Sequence, residues 1–329
     1  MFGIDLGIDL GTASVLVYAK GKGIEMHEPS VVAINENNNK RIAVGEEARM
    51  MLGRTPGNIV AIRPMKEGVI ADFQTTQIML KYFIEKAGGK RWPFFRTRVV
   101  VCIPSGVTEV EERAVKQAVY QAGAKKVIVI EETYAAALGA GLDISGPEAN
   151  MVVDIGGGTT DIAVLSLDGI VCKRRLRIGG DKFDEAITRF IRRRHNLLIG
   201  ERTAEAIKIA VGSAIREGRP DNPSIDVRGR DLVTGFPKAV VVNSQECFTA
   251  LEEYVEVIVG GVKEVLERTP PELSADILHK GIVMTGGGSL VHGIDIRISR
   301  ETGLSVIVAE DSMSCVVLGT GKVLERSFK

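Results

Sequence analysis

The sequence predicts an α/β protein of two similar halves facing a cleft, each half extended by a smaller inserted subdomain. Two observations predict it. Short β-branched apolar runs alternate with helical patterns along the 329 residues, as in α/β folds. One strand–glycine turn–strand signature also occurs twice, near the start and near the middle, which implies duplication.

The first signature is Ile8-Asp9-Leu10-Gly11-Thr12-Ala13-Ser14, and an apolar run from Val15 to Ala19 follows it. The stretch 31–68 is rich in Gly, Pro, Asn and charge, so it reads as an inserted subdomain with surface loops. A helix is expected over 74–87 and a buried strand over 99–103. The spacing then predicts a helix over 107–122. Thr108 and Glu111 form its capping box, and Gly123 ends it. A strand over 127–130 leads into Glu131-Glu132. The second signature is Val153-Asp154-Ile155-Gly156-Gly157-Gly158-Thr159-Thr160-Asp161, with a strand from Ile162 to Leu167. The stretch 182–240 reads as the second insertion. An apolar strand then ends in Thr285-Gly286-Gly287-Gly288-Ser289, with a helix expected over 290–301.

Glycines at such turns let backbone N–H groups approach an anion, and Thr or Ser hydroxyls add donors. Thr12, Ala13, Ser14 and Gly156, Gly157, Gly158, Thr159 and Thr160 are therefore candidate phosphate contacts. Asp9 and Asp154, each at the end of a strand, suit a hydrated Mg²⁺, which takes few carboxylates plus phosphate oxygens. The bland alternative is that each aspartate only caps its own turn. Gly286, Gly287, Gly288 and Ser289 sit where a helix N-terminus would meet a nucleotide. A carboxylate of Glu131-Glu132, leaving a buried strand at the cleft, can orient water or accept its proton; a solvated helix start is the alternative. No G-x-G-x-x-G or G-x-x-x-x-G-K-[ST] motif occurs, which excludes the common dinucleotide and Walker signatures.

In GIDLGTAS (7–14), EPSVVAI (28–34), GRTPGNIVAIRPMKEGVIADF (53–73), IPSGVTEVEERAV (103–115), NMVVDIGGGTTDIAV (150–164), GERTAEAIK (200–208), ERTPPELSADI (267–277) and TGGGS (285–289), the chain resembles the bacterial actins of the MreB/Mbl family. Those belong to the superfamily of actin, DnaK-type chaperones and sugar kinases. The resemblance implies duplicated actin-like (RNase H-like) domains with four subdomains: IA (1–30, 69–143 and 311–329), IB (31–68), IIA (144–181 and 241–310) and IIB (182–240). It implies binding of ATP and Mg²⁺, slow ATP hydrolysis, and homopolymeric filaments on the inner leaflet of the membrane that guide cell-wall elongation proteins and keep the cell rod-shaped. The family's water-activating glutamate falls on Glu132, with Thr159 as the matching hydroxyl and Asp154 on the metal side. Adenosine is expected against a helix carrying Glu201, Glu205 and Lys208. Glu205 and Lys208 share a helical face, so the alternative is a simple ion pair between them. The chain departs from the family in two places: Thr133 stands where proline is usual, and Ala210 where glutamate is common. Lys66 and Asp72 fall in a matching segment with no role argued from spacing.

Trp92, Phe94 and Phe95 lie among Lys90, Arg91, Arg96 and Arg98, downstream of Gly88-Gly89 and around Pro93. Exposed aromatics ringed by cations suit an anionic membrane surface, and the resemblance places a membrane-inserting loop here; aromatics tucked into the core are the alternative. Formal net charge is zero, with 42 basic and 42 acidic residues, and no aromatic–basic repeat occurs, so no nucleic-acid partner is expected. Cys102, Cys172, Cys247 and Cys315 form no C-x-x-C pair and read as reduced thiols. No apolar run approaches the roughly 18 residues of a membrane span, and the chain enters a strand almost at once, so a cytoplasmic protein peripheral to the membrane is expected. A metabolic kinase of sugar or acetate type is the rival reading. It would need a base for the acceptor hydroxyl, and the insertions offer no spare acidic motif.

Overall fold

A computed structural model describes residues 4–88 and 97–327. Trp92, Phe94 and Phe95 lie outside the described residues. Two five-stranded sheets dominate, and they share one connectivity. In the first, Asp5–Leu10, Ser14–Ala19 and Gly23–Pro29 form an antiparallel meander. Arg98–Ile103 and then Lys126–Glu131 join Asp5–Leu10 in parallel. In the second, Asn150–Ile155, Thr160–Ser166 and Gly169–Leu176 repeat the meander, and Ile282–Thr285 and Val306–Val308 add in parallel. The duplicated signature thus marks a duplicated sheet, with each glycine turn at the C-terminal end of its sheet's first strand.

Helices cover the sheets because parallel strands are apolar on both faces. Phe73–Gly88 and Glu109–Gln121 pack on the first sheet through Met79, Leu80, Phe83, Val115 and Val119. Thr108 and Glu111 close the expected capping box. Asp72, which had no role, accepts the Thr75 N–H at 2.9 Å and so caps Phe73–Gly88. On the second sheet, Gly180–His195 and Ser244–Arg268 contribute Phe183, Ile187, Leu251 and Ile258. A third cluster joins the halves, uniting Val100 and Cys102 of the first sheet with Val152, Ala163 and Leu165 of the second. Helices Glu132–Gly139 and Cys315–Ser327 complete it. They cross with backbones almost touching: a Cβ at Gly139 would lie 1.7 Å from the Cys315 carbonyl, and one at Gly319 1.9 Å from that of Ala135.

The two insertions differ. Lys40–Val44, Val32–Asn35 and Ile59–Ile62 form a small sheet with helix Glu46–Met51 and a core of its own around Val31, Ala33, Ala43 and Ala48. The second sheet, Leu197–Leu198, Ser224–Asp231 and Pro237–Asn243, shares its half's core through Leu197, Val227 and Val242. All four cysteines are buried and unpaired. One sequence expectation needs correction. No helix fills 290–301 from its start. A 3₁₀ turn covers Gly287–Leu290, Val291 is extended, Gly293 turns at φ 77°, and the α-helix is Ile294–Thr302. His292 is held out of helix by bridging to Ser213.

Candidate functional site

The two glycine turns meet across the cleft. A Cβ on Gly157 would lie 2.5 Å from that of Ala13, and one on Gly158 2.5 Å from Thr12 Oγ1. Only glycine permits this approach, which brings the two backbones close enough to serve one shared anion. Thr12 is held by accepting the Gly68 N–H at 2.9 Å.

Four carboxylates gather behind the turns. Thr285 Oγ1 donates to Asp154 Oδ1 at 2.6 Å. Burial pushes the Asp154 carboxyl up to about 6, against that hydrogen bond. Asp9 is raised to about 7 by burial and by the nearby charge of Asp154. Glu132, first residue of helix Glu132–Gly139, is only 8% exposed, so the solvated helix start is excluded for it. Its carboxyl stands well above the usual range through burial, then through Asp161, Asp9 and Asp154. Glu131 points away, bonded to Lys173 at 2.7 and 2.8 Å.

Asp161 was missed as a site residue. It is fully buried, pairs directly across the hairpin with Asp154, and is raised to about 7 by burial and by Asp154. Its Oδ1 accepts the Ser105 N–H at 2.8 Å, and its Oδ2 is buried with no hydrogen-bond partner. The signal was available: a second carboxylate in the same motif, in register with the first. Arg175 was also missed. It lowers the carboxyls of Asp161 and Glu132 and donates to the Glu67 carbonyl, where the backbone turns at φ 48°.

Oxygen ligands, buried negative charge and an orphaned carboxylate oxygen fit a small hard cation such as Mg²⁺. Among the described residues no group of three or more His, Cys, Asp or Glu is arranged to hold a metal alone. Phosphate oxygens and water would therefore complete the shell around an ion beside Asp9 and Asp154.

Several hydroxyls and charges are already engaged. Thr160 Oγ1 donates to the Ile178 carbonyl at 2.8 Å and Ser289 Oγ to that of Gly286 at 2.6 Å, and the Ser289 N–H also donates to the Gly286 carbonyl at 3.3 Å. Gly288 and Ser289 are buried, Gly288 against Ile155, while Gly286 is half-buried and Gly287 is exposed. Ala13, Ser14 and Gly156 are half-buried at the turns, and Thr159 is 5% exposed. On helix Glu201–Val211, Glu205 and Lys208 do not pair with each other. Glu205 meets Arg49 at 3.2 Å, Glu201 meets Arg63 at 3.7 Å, and Lys208 meets Asp184 at 2.9 Å and the Gly180 carbonyl at 3.2 Å. The first two pairs bridge the outer insertions across the cleft mouth.

Twin sheets of this connectivity, with glycine turns facing across the cleft, define an actin-like protein. The description "MreB/Mbl protein" fits residues 3–329. The chain is 54% identical to the cell shape-determining protein Mbl of Bacillus cereus, over 99% of this chain and 97% of that one. It is 51% identical to the cell shape-determining protein MreB of Escherichia coli, over 99% and 94%. The structure of MreB5 of Spiroplasma citri bound to ADP superposes with a TM-score of 0.93 at 39% identity, covering 99% and 97% of the two chains. A MamK double helical filament matches at 0.83 and 23% identity, a likeness of fold. The chain belongs to the MreB/Mbl family. Membership places it with cytoskeletal cell-shape proteins rather than metabolic kinases.

Proposed function

We propose that this chain binds ATP with Mg²⁺ between its two glycine turns, polymerises, and hydrolyses ATP slowly within filaments held at the inner face of the membrane. One observation carries the reading: the turns of Thr12-Ala13 and Gly157-Gly158 meet at close range in front of Asp9, Asp154, Asp161 and Glu132. Two facing glycine turns with buried carboxylates beside them suit a polyphosphate and its metal ion. Bound Mg²⁺ would neutralise phosphate charge there. We assign to Glu132, buried at the start of its helix beside Asp154 and Asp161, the task of orienting the attacking water and taking its proton. Glu201, Glu205 and Lys208 lie on the adenosine side, and a nucleotide sugar reaching Glu205 would compete with Arg49. The relatives' names support a part in determining cell shape, and ADP or AMPPNP in the MreB5 structures supports nucleotide binding; rod-shape maintenance with cell-wall elongation proteins as partners is our extension of that reading.

Subdomains IA, IB, IIA and IIB are assigned to the four ranges given above, and Trp92, Phe94 and Phe95 to membrane contact. Each inserted aromatic would contribute about 1.5–3 kcal/mol, less the cost of association, so one subunit binds weakly and a filament firmly. The test combines phosphate release, sedimentation and liposome binding. Phosphate release should need Mg²⁺ and rise with assembly. Replacing Trp92, Phe94 and Phe95 together with Ser should abolish co-pelleting with anionic liposomes while hydrolysis survives. Release that persists after chelation of Mg²⁺, or that appears only with a sugar acceptor, defeats the reading.

A further inference from the structure

One buried connection beside Glu132 has no role in the scheme above. Thr133 follows Glu132 directly, and its hydroxyl lies 3.2 Å from that of Ser105. The Ser105 N–H donates to Asp161 Oδ1 at 2.8 Å. Thr133 and Asp161 are 0% exposed and Ser105 is 1% exposed. Ser105 follows strand Arg98–Ile103 and Thr133 is the second residue of helix Glu132–Gly139, so both belong to the first half. Asp161 lies in strand Thr160–Ser166 of the second. The chain of bonds therefore runs from the second glycine hairpin, across the base of the cleft, to the residue after Glu132.

The start of that helix needs such a tether. Its N-cap, Glu131, makes no side-chain cap, because its carboxylate is spent on Lys173. An uncapped first turn is the part of a helix that frays most readily. Glu132 sits in that turn, and a water-orienting group loses effect when displaced by about 1 Å. Buried hydroxyls seek partners. Here they pair between segments.

We propose that Thr133, Ser105 and Asp161 form a brace across the cleft that positions Glu132 for water activation, Thr133 and Ser105 acting as positioning residues. It rests on the reading that Glu132 serves ATP hydrolysis. Where a proline would fix the helix start covalently, this chain fixes it through a hydroxyl, and it couples the setting of Glu132 to the hairpin that carries Asp154.

The test measures kcat and KM for phosphate release, together with melting temperature, in Thr133→Val, Thr133→Ser, Ser105→Ala, Glu132→Gln and Glu132→Gln/Thr133→Val. Loss of one hydrogen bond corresponds to about a 2- to 10-fold change. Thr133→Val and Ser105→Ala should each lower kcat by about that factor with KM nearly unchanged, and Thr133→Ser should recover most of it. In the Glu132→Gln background, Thr133→Val should cost nothing further, since a positioning residue acts only through the group it positions. Wild-type kcat in both Thr133→Val and Ser105→Ala overturns the brace. So does an equal loss in the Glu132→Gln background, or a fall in kcat matched by KM and melting temperature. If Glu132→Gln itself hydrolyses normally, the reading of Glu132 fails and takes the brace with it. If Thr133→Val does not fold, Ser105→Ala decides by the same criteria.

Discussion

The two glycine hairpins share a backbone plan and differ in what surrounds it. In the first, Asp9 faces Leu16 across the strands, and Leu16 is buried and apolar. In the second, Asp154 faces Asp161, and both are buried. The first turn has one glycine, Gly11; the second has Gly156, Gly157 and Gly158. The second is also tied more firmly, with Thr285 donating to Asp154 and the Ser105 N–H to Asp161. Replacing a leucine by an aspartate at one register position puts a second negative charge in a low-dielectric site, where like charges repel strongly. Duplicating the fold did not duplicate the chemistry. The first hairpin offers donors and one carboxylate, while the second concentrates charge beside Glu132.

The strongest test of that asymmetry is Glu132→Ala. It should slow phosphate release by roughly 10²–10⁴-fold if the carboxylate acts as a base, with nucleotide affinity little changed and filaments longer-lived in ATP. Affinity falling as far as turnover would make Glu132 a ligand contact instead. Next come Asp154→Ala and Asp9→Ala, assayed side by side. Asp154→Ala should cost turnover on the order of 10²–10³-fold while the protein still folds, and Asp9→Ala should cost less. Equal losses would mean that the extra charge of the second hairpin has no chemical consequence.

Much of this was legible in the sequence because the signals were local. The hairpins, the Thr108–Glu111 capping box and the strand into Glu132 follow from period and turn chemistry. The helix expected over 290–301 failed because His292 and Gly293 are fixed by a bridge to Ser213 and a left-handed backbone, which no local pattern encodes. Asp161 stood in plain view inside its motif but becomes a site residue only once strand register places it opposite Asp154. Arg49 with Glu205, and Thr133 with Ser105, are long-range partners with no sequence spacing to mark them. The Glu205–Lys208 pair, by contrast, had the right spacing and did not form, because Asp184 and Arg49 offered each side chain a partner from another element.

The smallest expected effect separates the hairpins by pH. The Asp154 carboxyl, ordinarily at 3.8, is raised to about 6 in the fold, mainly by burial. A raised carboxyl binds its proton more tightly folded than unfolded, so protonation favours the fold. That stabilisation is complete below the unfolded value of 3.8 and is lost as pH rises through about 6. The nucleotide-free protein should therefore pay for this charge at neutral pH, by up to about 3 kcal/mol for a shift of this size. Asp154→Asn removes the charge and keeps an acceptor for Thr285. Its melting temperature relative to wild type should rise between about pH 4.5 and about pH 7.5, and saturating Mg²⁺ with nucleotide should shrink or reverse the gain by stabilising the wild type preferentially. Leu16→Asn, at the first hairpin's position matching Asp161, adds no titrating group. It should destabilise the protein by a similar amount at both pH values, because its cost is lost apolar packing rather than charge. A pH-independent difference for Asp154→Asn, or one of opposite sign, would show that the second hairpin's carboxylate is not strained by burial, and the contrast between the hairpins would reduce to their glycines.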